Sequence, residues 1–283
     1  MEEDPKVTPH LCPYDTLHIY YLEGRANPAL MRFGDSFLGD WEEEGFSFLF
    51  FKEPADGSVH ALVKAQKELT LIDQYQMSYE EWQGGPIEPF TISDFLILPP
   101  WKADASNTSL KKKLILDPGV VFGNGAHPTT RECLDLLSRL LKFIPIESMI
   151  DLGTGTGLLS LAAASHGLKK VIAVDFNYLA VKTAQHNIRL NGFDRQILAI
   201  QGLAETFIDT PADLVVANIH YDVMRRLVAS KGFLEKKWFI LSGLLKSQAE
   251  AIENHLESVP VTLLDKRESG GVWHTFFGKV DDV

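Results

Sequence analysis

The spacing of apolar and polar positions changes character near residue 129. Before it, short apolar runs are separated by glycine, proline and acidic residues, as expected of strands joined by turns. Leu17-His18-Ile19-Tyr20-Tyr21-Leu22 reads as a strand, and so does Gly45-Phe46-Ser47-Phe48-Leu49-Phe50-Phe51. Pro28 to Trp41 reads as a weak helix interrupted by Gly34 and Gly39. After a turn at Pro54–Gly57, Ser58 is placed to cap a short helix through Gln66, and Leu69–Gln76 alternates as a third strand. The pattern predicts a small α+β domain over residues 1–85, with a proline-rich arm at 1–13. Pro86 to Pro100 carries prolines at both ends of Phe95-Leu96-Ile97-Leu98 and reads as a connecting ribbon. Asp104–Ser109 reads as a polar loop and Lys111-Lys112-Lys113 as a solvated strand edge, so residues 86–113 are taken as a linker.

Leu114-Ile115-Leu116 reads as a strand, and from Thr129 helix and strand periods alternate. Helices are predicted at 131–142, 157–166, 178–191, 221–230 and 245–257, the third closed by Gly192. Strands are predicted at 148–152, 170–175, 197–201, 213–217, 237–242, 261–266 and 272–279. Strands separated by helices imply a parallel, Rossmann-like sheet of the α/β class, covered on both faces. Only Gly270-Gly271 turns the chain between the last two strands, so that pair must be antiparallel; a parallel crossover needs about a dozen residues. Residues 114–283 form the second predicted domain.

Composition changes this picture in two ways. With 45% hydrophobic and 23% charged residues in 283, the chain can build two cores of ordinary size. Cys12 and Cys133 give neither a disulfide framework nor a metal-binding spacing, so no metal is expected and a reducing compartment is. The acidic start Met1-Glu2-Glu3-Asp4-Pro5 does not read as a signal peptide and no run reaches bilayer length, so no membrane association is expected. The net charge of −11 is lopsided. Residues 1–100 hold 6 Lys/Arg and 18 Asp/Glu, a balance of −12, whereas residues 101–283 hold 21 and 20. Such a surface repels a phosphate backbone and attracts a basic protein; the plainer reading is that it keeps the domain soluble.

Candidate chemistry gathers at the predicted carboxyl ends of the strands. Met149-Ile150-Asp151-Leu152-Gly153-Thr154-Gly155-Thr156-Gly157-Leu158 is a strand, an acid, glycines at alternate positions and a helix start. Glycines permit tight turns and close backbone approach, and the helix aims unpaired N–H groups at a ligand. A dinucleotide fingerprint needs its third glycine where Leu158 stands. Asp151 suits a ligand amino group and repels a pyrophosphate. Asp175 ends the second strand, 22 residues after Gly153, where a doubly wound sheet meets ribose hydroxyls; the plainer reading is a cap for the next helix. Asn218 leaves the strand at 213–217, and its side-chain carbonyl can accept an N–H from an incoming amine. The plainer reading is an N-cap for the helix at 221–230. His220 can take a proton and Tyr221 can pack on a methylammonium, though both also suit a helix's first turn. In Asp117 to Thr130, Phe122 is set to lie against a flat ring, and Pro128 holds His127 extended. Thr129 or Thr130 is expected to cap a helix whose N-terminus is a carboxylate site.

On these residues the chain resembles the ribosomal protein L11 methyltransferase family from 115 to 283. The matching stretches are Leu116-Asp117-Pro118-Gly119, His127-Pro128-Thr129-Thr130, the loop at 151–157, Ala212 through Ile219, and Leu241-Ser242-Gly243-Leu244-Leu245. Leu96-Ile97-Leu98-Pro99-Pro100-Trp101 is similar to the family's linker. The resemblance implies a seven-stranded class I methyltransferase sheet, S-adenosyl-L-methionine as cofactor and a cytoplasmic enzyme. It implies transfer to lysine or N-terminal amino groups of a basic protein, ribosomal protein L11, captured by the small domain. It carries cofactor binding onto Thr130, Gly153, Asp175 and Asn218, with Asn218 also catalytic; Phe122, Thr129, Asp151 and Gly155 join them on the residue reading above. The chain departs from the family at Asn124 and Ala126, where threonines are usual, and at His220-Tyr221, where a short aliphatic run is usual.

Four other functions compete with this one. Related enzymes that methylate lysines of electron-transfer flavoprotein share the core. A cofactor-binding module that only docks a partner is a second alternative. A nucleic-acid amino methyltransferase would carry Asn/Asp-Pro-Pro-aromatic, but Asn218-Ile219-His220-Tyr221 lacks both prolines and residues 1–100 are acidic, so no direct nucleic-acid partner is expected. A nicotinamide oxidoreductase is disfavoured by Leu158 and the terminal hairpin. The sequence leaves the oligomeric state open.

Overall fold

The structure, a computed structural model, describes residues 12–105 and 111–281. Most of the arm expected at 1–13 and of the loop expected at 104–109 lies outside the described residues. The chain divides into two compact units, Met1–Pro89 with Leu98–Ser109 and Phe90–Ile97 with Leu110–Val283.

The smaller unit is an antiparallel sheet of β1 (Thr16–Glu23), β2 (Phe37–Glu43), β3 (Phe46–Phe51) and β4 (Thr70–Ser78), in the order β2-β3-β1-β4. Helix α1 (Asp56–Ala65) covers one face, where Val59 and Leu62 meet Tyr20, Leu22, Leu49 and Phe51. Each such side chain taken from water contributes about 1.5–3 kcal/mol. Two elements differ from the sequence expectation. The helix expected over Pro28 to Trp41 is one 3-10 turn at Pro28–Leu30 followed by strand β2. Gly34 at φ +72° breaks the helical path, and pairing with β3 supplies the backbone bonds that a weak helix would have made for itself. Helix α1 starts at Asp56 with Ala55 as N-cap, so Ser58 lies inside it. Helix α2 (Tyr79–Gln83) follows β4 with a Ser78–Glu81 capping box.

The larger unit opens with a hairpin of β5 (Phe90–Ile92) and β6 (Phe95–Leu98), within the stretch expected as a ribbon, and β7 (Lys112–Ile115) joins its sheet. Phe95 and Ile97 are buried in the same core as Leu134, Leu137 and Leu161. Polar contacts secure the turn: Ser138 bonds Asp94, Ser93 bonds Asp135, and His166 Nε2 lies 3.2 Å from Asp94 Oδ2. These clips, not length, make the ribbon part of the larger core.

Beyond it run α3 (Pro128–Phe143), β8 (Ser148–Leu152), α4 (Leu158–Ser165), β9 (Lys170–Asp175), α5 (Tyr178–Leu190), β10 (Ile197–Gln201) and α6 (Ala204–Phe207). Then come β11 (Leu214–Asn218), α7 (Tyr221–Val228), α8 (Lys231–Leu234), β12 (Trp238–Leu245), α9 (Lys246–Leu256), β13 (Val261–Ser269) and β14 (Trp273–Val280). The seven-stranded sheet has the order β10-β9-β8-β11-β12-β14-β13. Strands β8 to β12 pair in parallel, and β14 is antiparallel to both β12 and β13, as the short glycine turn requires. Neighbouring residues of one strand feed opposite cores: Met149 packs with α3, α4 and α5, and Ile150 packs with α7 and α9. That two-sided burial is why these strands read as nearly continuous apolar runs.

One buried charge works against the fold. Lys236, between α8 and β12, is 2% exposed, and among the described residues its Nζ has no hydrogen-bond partner. Burial pulls its pKa below the ordinary lysine value, opposed by Glu235 and Asp209. Lys236→Met is expected to raise the urea midpoint by the equivalent of about 1–3 kcal/mol, the cost of an unsatisfied buried polar group. The unfolded chain binds more protons than the folded one between the depressed value and about 10.4, so stability rises with pH there. The variant's advantage should therefore shrink as urea melts are taken from neutral pH towards about 10.4.

Candidate active site

The carboxyl ends of β8, β9 and β11 lie side by side, and the predicted residues gather there. The loop after β8 is clamped to β9: the N–H groups of Gly153 and Thr154 both donate to the Val174 carbonyl, at 2.8 and 2.9 Å. Gly153 has φ +75°, and a Cβ on it would lie 2.1 Å from Ile219 Cγ2. Glycine is thus required twice, by its conformation and by the residue after Asn218 resting on it.

Asp175 ends β9 and is buried. Its Oδ2 accepts the Gly155 N–H at 3.0 Å and its Oδ1 accepts the Asn177 N–H at 2.9 Å. Asn177, not Asp175, caps α5, through bonds from the N–H groups of Leu179 and Ala180. Burial holds the Asp175 carboxyl above its usual range, against the lowering effect of those backbone donors. The Phe176 N–H is a third backbone donor to this carboxylate, which leaves room for one further donor. Phe176 and Leu203, at the ends of β9 and β10, are 53% and 60% exposed and add apolar surface beside the acid.

Asp151 lies beneath the loop, whereas the sequence placed it against a ligand amino group. It is 1% exposed, and its Oδ2 accepts the hydroxyls of Thr154 and Ser160, each at 2.7 Å. Burial pushes its pKa up to about 6, opposed by those two donors and assisted by the charge of Asp175.

Asn218 ends β11, and its Nδ2 donates to Thr130 Oγ1 at 3.3 Å, so two residues 88 positions apart meet. The cap expected from Thr129 or Thr130 falls instead to His127, because Pro128 occupies the first helical position and keeps the preceding residue extended. That releases both threonine hydroxyls, and Thr129 Oγ1 pairs with His127 Nδ1 at 2.8 Å. His127 also packs edge-on against Trp273, with ring centres 4.9 Å apart. The helix after Asn218 is capped by His220, so Asn218 is not its N-cap, and the helix ends at Val228. Tyr221 opens that helix and packs partly buried against the β8–β11 core, and His220 lies exposed with Nδ1 3.7 Å from Asp222.

The segment 117–127 folds over the glycine loop. Thr156 Oγ1 donates to the Gly123 carbonyl at 2.7 Å, and Phe122 is 76% exposed. Asn187, which sequence reasoning missed, ties the two together. Wholly buried on α5, it accepts the Asp117 N–H at 2.8 Å and donates to the carbonyls of Asp117 and Thr156, both at 2.9 Å. The signal was an amide on the apolar face of a helix, among Val181, Ala184 and Ile188. Among the described residues there is no cluster of three or more His, Cys, Asp or Glu able to hold a metal ion, and no helix long and apolar enough to cross a membrane.

A doubly wound sheet with an antiparallel penultimate strand, a glycine loop after its first strand, an acid ending the second and an amide ending the fourth has the architecture of class I methyltransferases. The crystal structure of ribosomal protein L11 methylase from Lactobacillus delbrueckii subsp. bulgaricus superposes with a TM-score of 0.57 at 26% identity, covering 67% of this chain and 96% of that one. The model of the family described as ribosomal protein L11 methyltransferase (PrmA) matches residues 54–280, so the chain belongs to that family. Ribosomal protein L11 methyltransferases of Staphylococcus aureus strains JH1 and Mu3 / ATCC 700698 are each 33% identical over 202 residues, 70% of this chain and 64% of theirs. The match therefore spans less than two thirds of those relatives.

The raised pKa of Asp151 gives a signed test. The folded protein holds this proton more tightly than the unfolded chain, whose value is about 3.9, so ionisation costs stability as pH climbs. Relative to Asp151→Asn, the wild type should lose stability between about pH 4 and the folded value of about 6, then run parallel above it. Paired urea melts across that range check this, and a constant difference would refute it.

Proposed function

We propose that the chain is an S-adenosylmethionine-dependent protein N-methyltransferase. Its acceptor is an amino group of a basic protein, with ribosomal protein L11 the first candidate and a lysine side chain or N-terminal amine the target. The observation that carries this reading is the placement of Asp175 on β9 and of Asn218, bonded to Thr130 of α3, on β11, the two strands flanking β8, at one edge of one sheet. The site chemistry fits such a cofactor: a buried acid with spare acceptor capacity suits ribose hydroxyls, and exposed Phe122, Phe176 and Leu203 suit a flat ring. The N-terminus of α3, at Thr129 and Thr130, suits a carboxylate. Gly153 and Gly155 keep the loop backbone free of side chains, and Asp151 acts from below by holding Thr154 and Ser160.

When bound, S-adenosylmethionine supplies a methyl group already activated on a positively charged sulfur, so little acid catalysis is needed. Asn218 accepts an acceptor N–H on its side-chain carbonyl and aims the amine lone pair, while Thr130 fixes the amide by taking its N–H. The amine must be neutral to react. A lysine near ~10.4 resists this at neutral pH, whereas an α-amine near ~7.7–8.0 does not. Desolvation beside Asn218 lowers the lysine value. The −12 balance of residues 1–100 supports a basic partner.

Incubation with labelled cofactor and purified L11, read by mass spectrometry, should show methyl groups on lysine or N-terminal amines. Label on a different lysate protein would move the acceptor, towards the flavoprotein type for example. No label anywhere, with cofactor binding intact, would leave a docking module. Asp175→Ala should weaken calorimetric cofactor affinity by about 10- to 100-fold, the worth of one or two hydrogen bonds to a charged group. Asn218→Ala should lower kcat by about 100-fold while the thermal midpoint stays within a few degrees, and a fully active variant would remove the alignment role.

A further inference from the structure

Strand β12 does not run straight past the site. Leu241 pairs with Phe276 and Leu244 pairs with His274 on β14, so Ser242 and Gly243 together oppose the single residue Thr275. Two residues against one make a bulge, which bends a strand and re-aims what it carries. On the other side, Ser242 is the parallel partner of Asn218, and its carbonyl accepts the Ile219 N–H at 3.3 Å. The bulge thus sits between the terminal hairpin and the residue that orients the acceptor.

Its glycine makes room for the amide. Gly243 has φ +88°, and a Cβ there would lie 2.9 Å from the Ile219 carbonyl oxygen and 3.1 Å from Asn218 Oδ1. The Asn218 oxygen therefore rests against bare backbone. Its serine fastens the bulge: Ser242 Oγ and Thr275 Oγ1 are 2.5 Å apart, and both residues are wholly buried. The thiol of buried Cys133 also lies beside Ser242, but sulfur is a weak partner for a hydroxyl. Without Thr275 Oγ1, the Ser242 hydroxyl would lose an oxygen partner in the core, and the bulge would lose its only side-chain tie to β14 among the described residues.

We propose that the Ser242–Thr275 hydroxyl pair, by pinning the Ser242–Gly243 bulge, sets the orientation of the Asn218 side chain. Thr275 is then a positioning residue that acts through Ser242 and Asn218, on a strand that holds none of the proposed cofactor contacts. The assignment rests on the methyl-transfer reading for its effect on turnover, but its structural half stands apart from that reading.

The test compares the full-length wild type with Thr275→Val, which keeps the branched shape and removes the hydroxyl, and Thr275→Ser, which restores it. With L11 as acceptor, Thr275→Val should lower kcat by about tenfold with cofactor KM within about twofold, and Thr275→Ser should recover most of the loss, since alignment acts in the transition state. Amide hydrogen exchange on the protein alone supplies the second readout. Exchange over residues 216–222 should quicken by about tenfold in Thr275→Val and return in Thr275→Ser, with residues 150–157 unchanged. An active wild type with unaltered kcat in Thr275→Val would overturn the proposal, and so would unaltered exchange at 216–222. Faster exchange across the whole sheet would also overturn it, because the pair would then be ordinary core. A wild type that methylates nothing would sink the methyl-transfer reading instead, and exchange would still decide whether the pair pins the Asn218 segment.

Discussion

The close approach of Ile219 to Gly153 is the constraint on which the rest of the site depends. The first and fourth strands of the parallel arrangement lie side by side, and at their ends a side-chain methyl occupies the volume where a Cβ would otherwise stand. That contact holds the exit of β11 over the glycine loop. From there Asn218 reaches Thr130 on one side and Gly243 on the other. The two acids are sorted by the same loop: Asp175 closes over it through Gly155, and Asp151 supports it from below. Two carboxyls so near one another take different tasks because one is surrounded by hydroxyl donors and the other by backbone N–H groups.

Much of this was legible in the residues. Strands with buried faces on both sides announced themselves as apolar runs, and all seven of the large sheet fall within a few residues of their expected bounds, with the hairpin antiparallel as its turn demanded. The strand-end positions of Asp175 and Asn218 followed from topology. Local chemistry was less legible. Pro128 moved the cap of α3 from the threonines to His127, so two hydroxyls thought to end a helix are spent elsewhere. The segment Pro28 to Trp41 became a strand because a neighbouring strand, invisible to local propensity, offered it hydrogen bonds.

Asn187 and the Ser242–Gly243 bulge mark the limit more sharply. Each is a polar or flexible residue within an apolar pattern, and each satisfies backbone or side-chain groups far away in the chain: Asn187 at Asp117 and Thr156, Ser242 at Thr275. A periodicity argument registers such positions only as interruptions. Their purpose appears when the accounting of buried donors and acceptors is done in three dimensions.

The order of strands has a consequence for how the protein comes into being. Strand β14 lies between β12 and β13 although it follows both in the chain, so the sheet cannot be completed in the order of synthesis. Until the polypeptide has been made through Val280, one flank of β12 stays open, with Thr275 absent from its place opposite the bulge. The amide at Asn218 acquires the bulge's share of its support only when that late insertion occurs, a long-range step of the kind that slows folding and leaves an unpaired edge open to association. Nascent or prematurely terminated chains would be the forms most in need of chaperone protection.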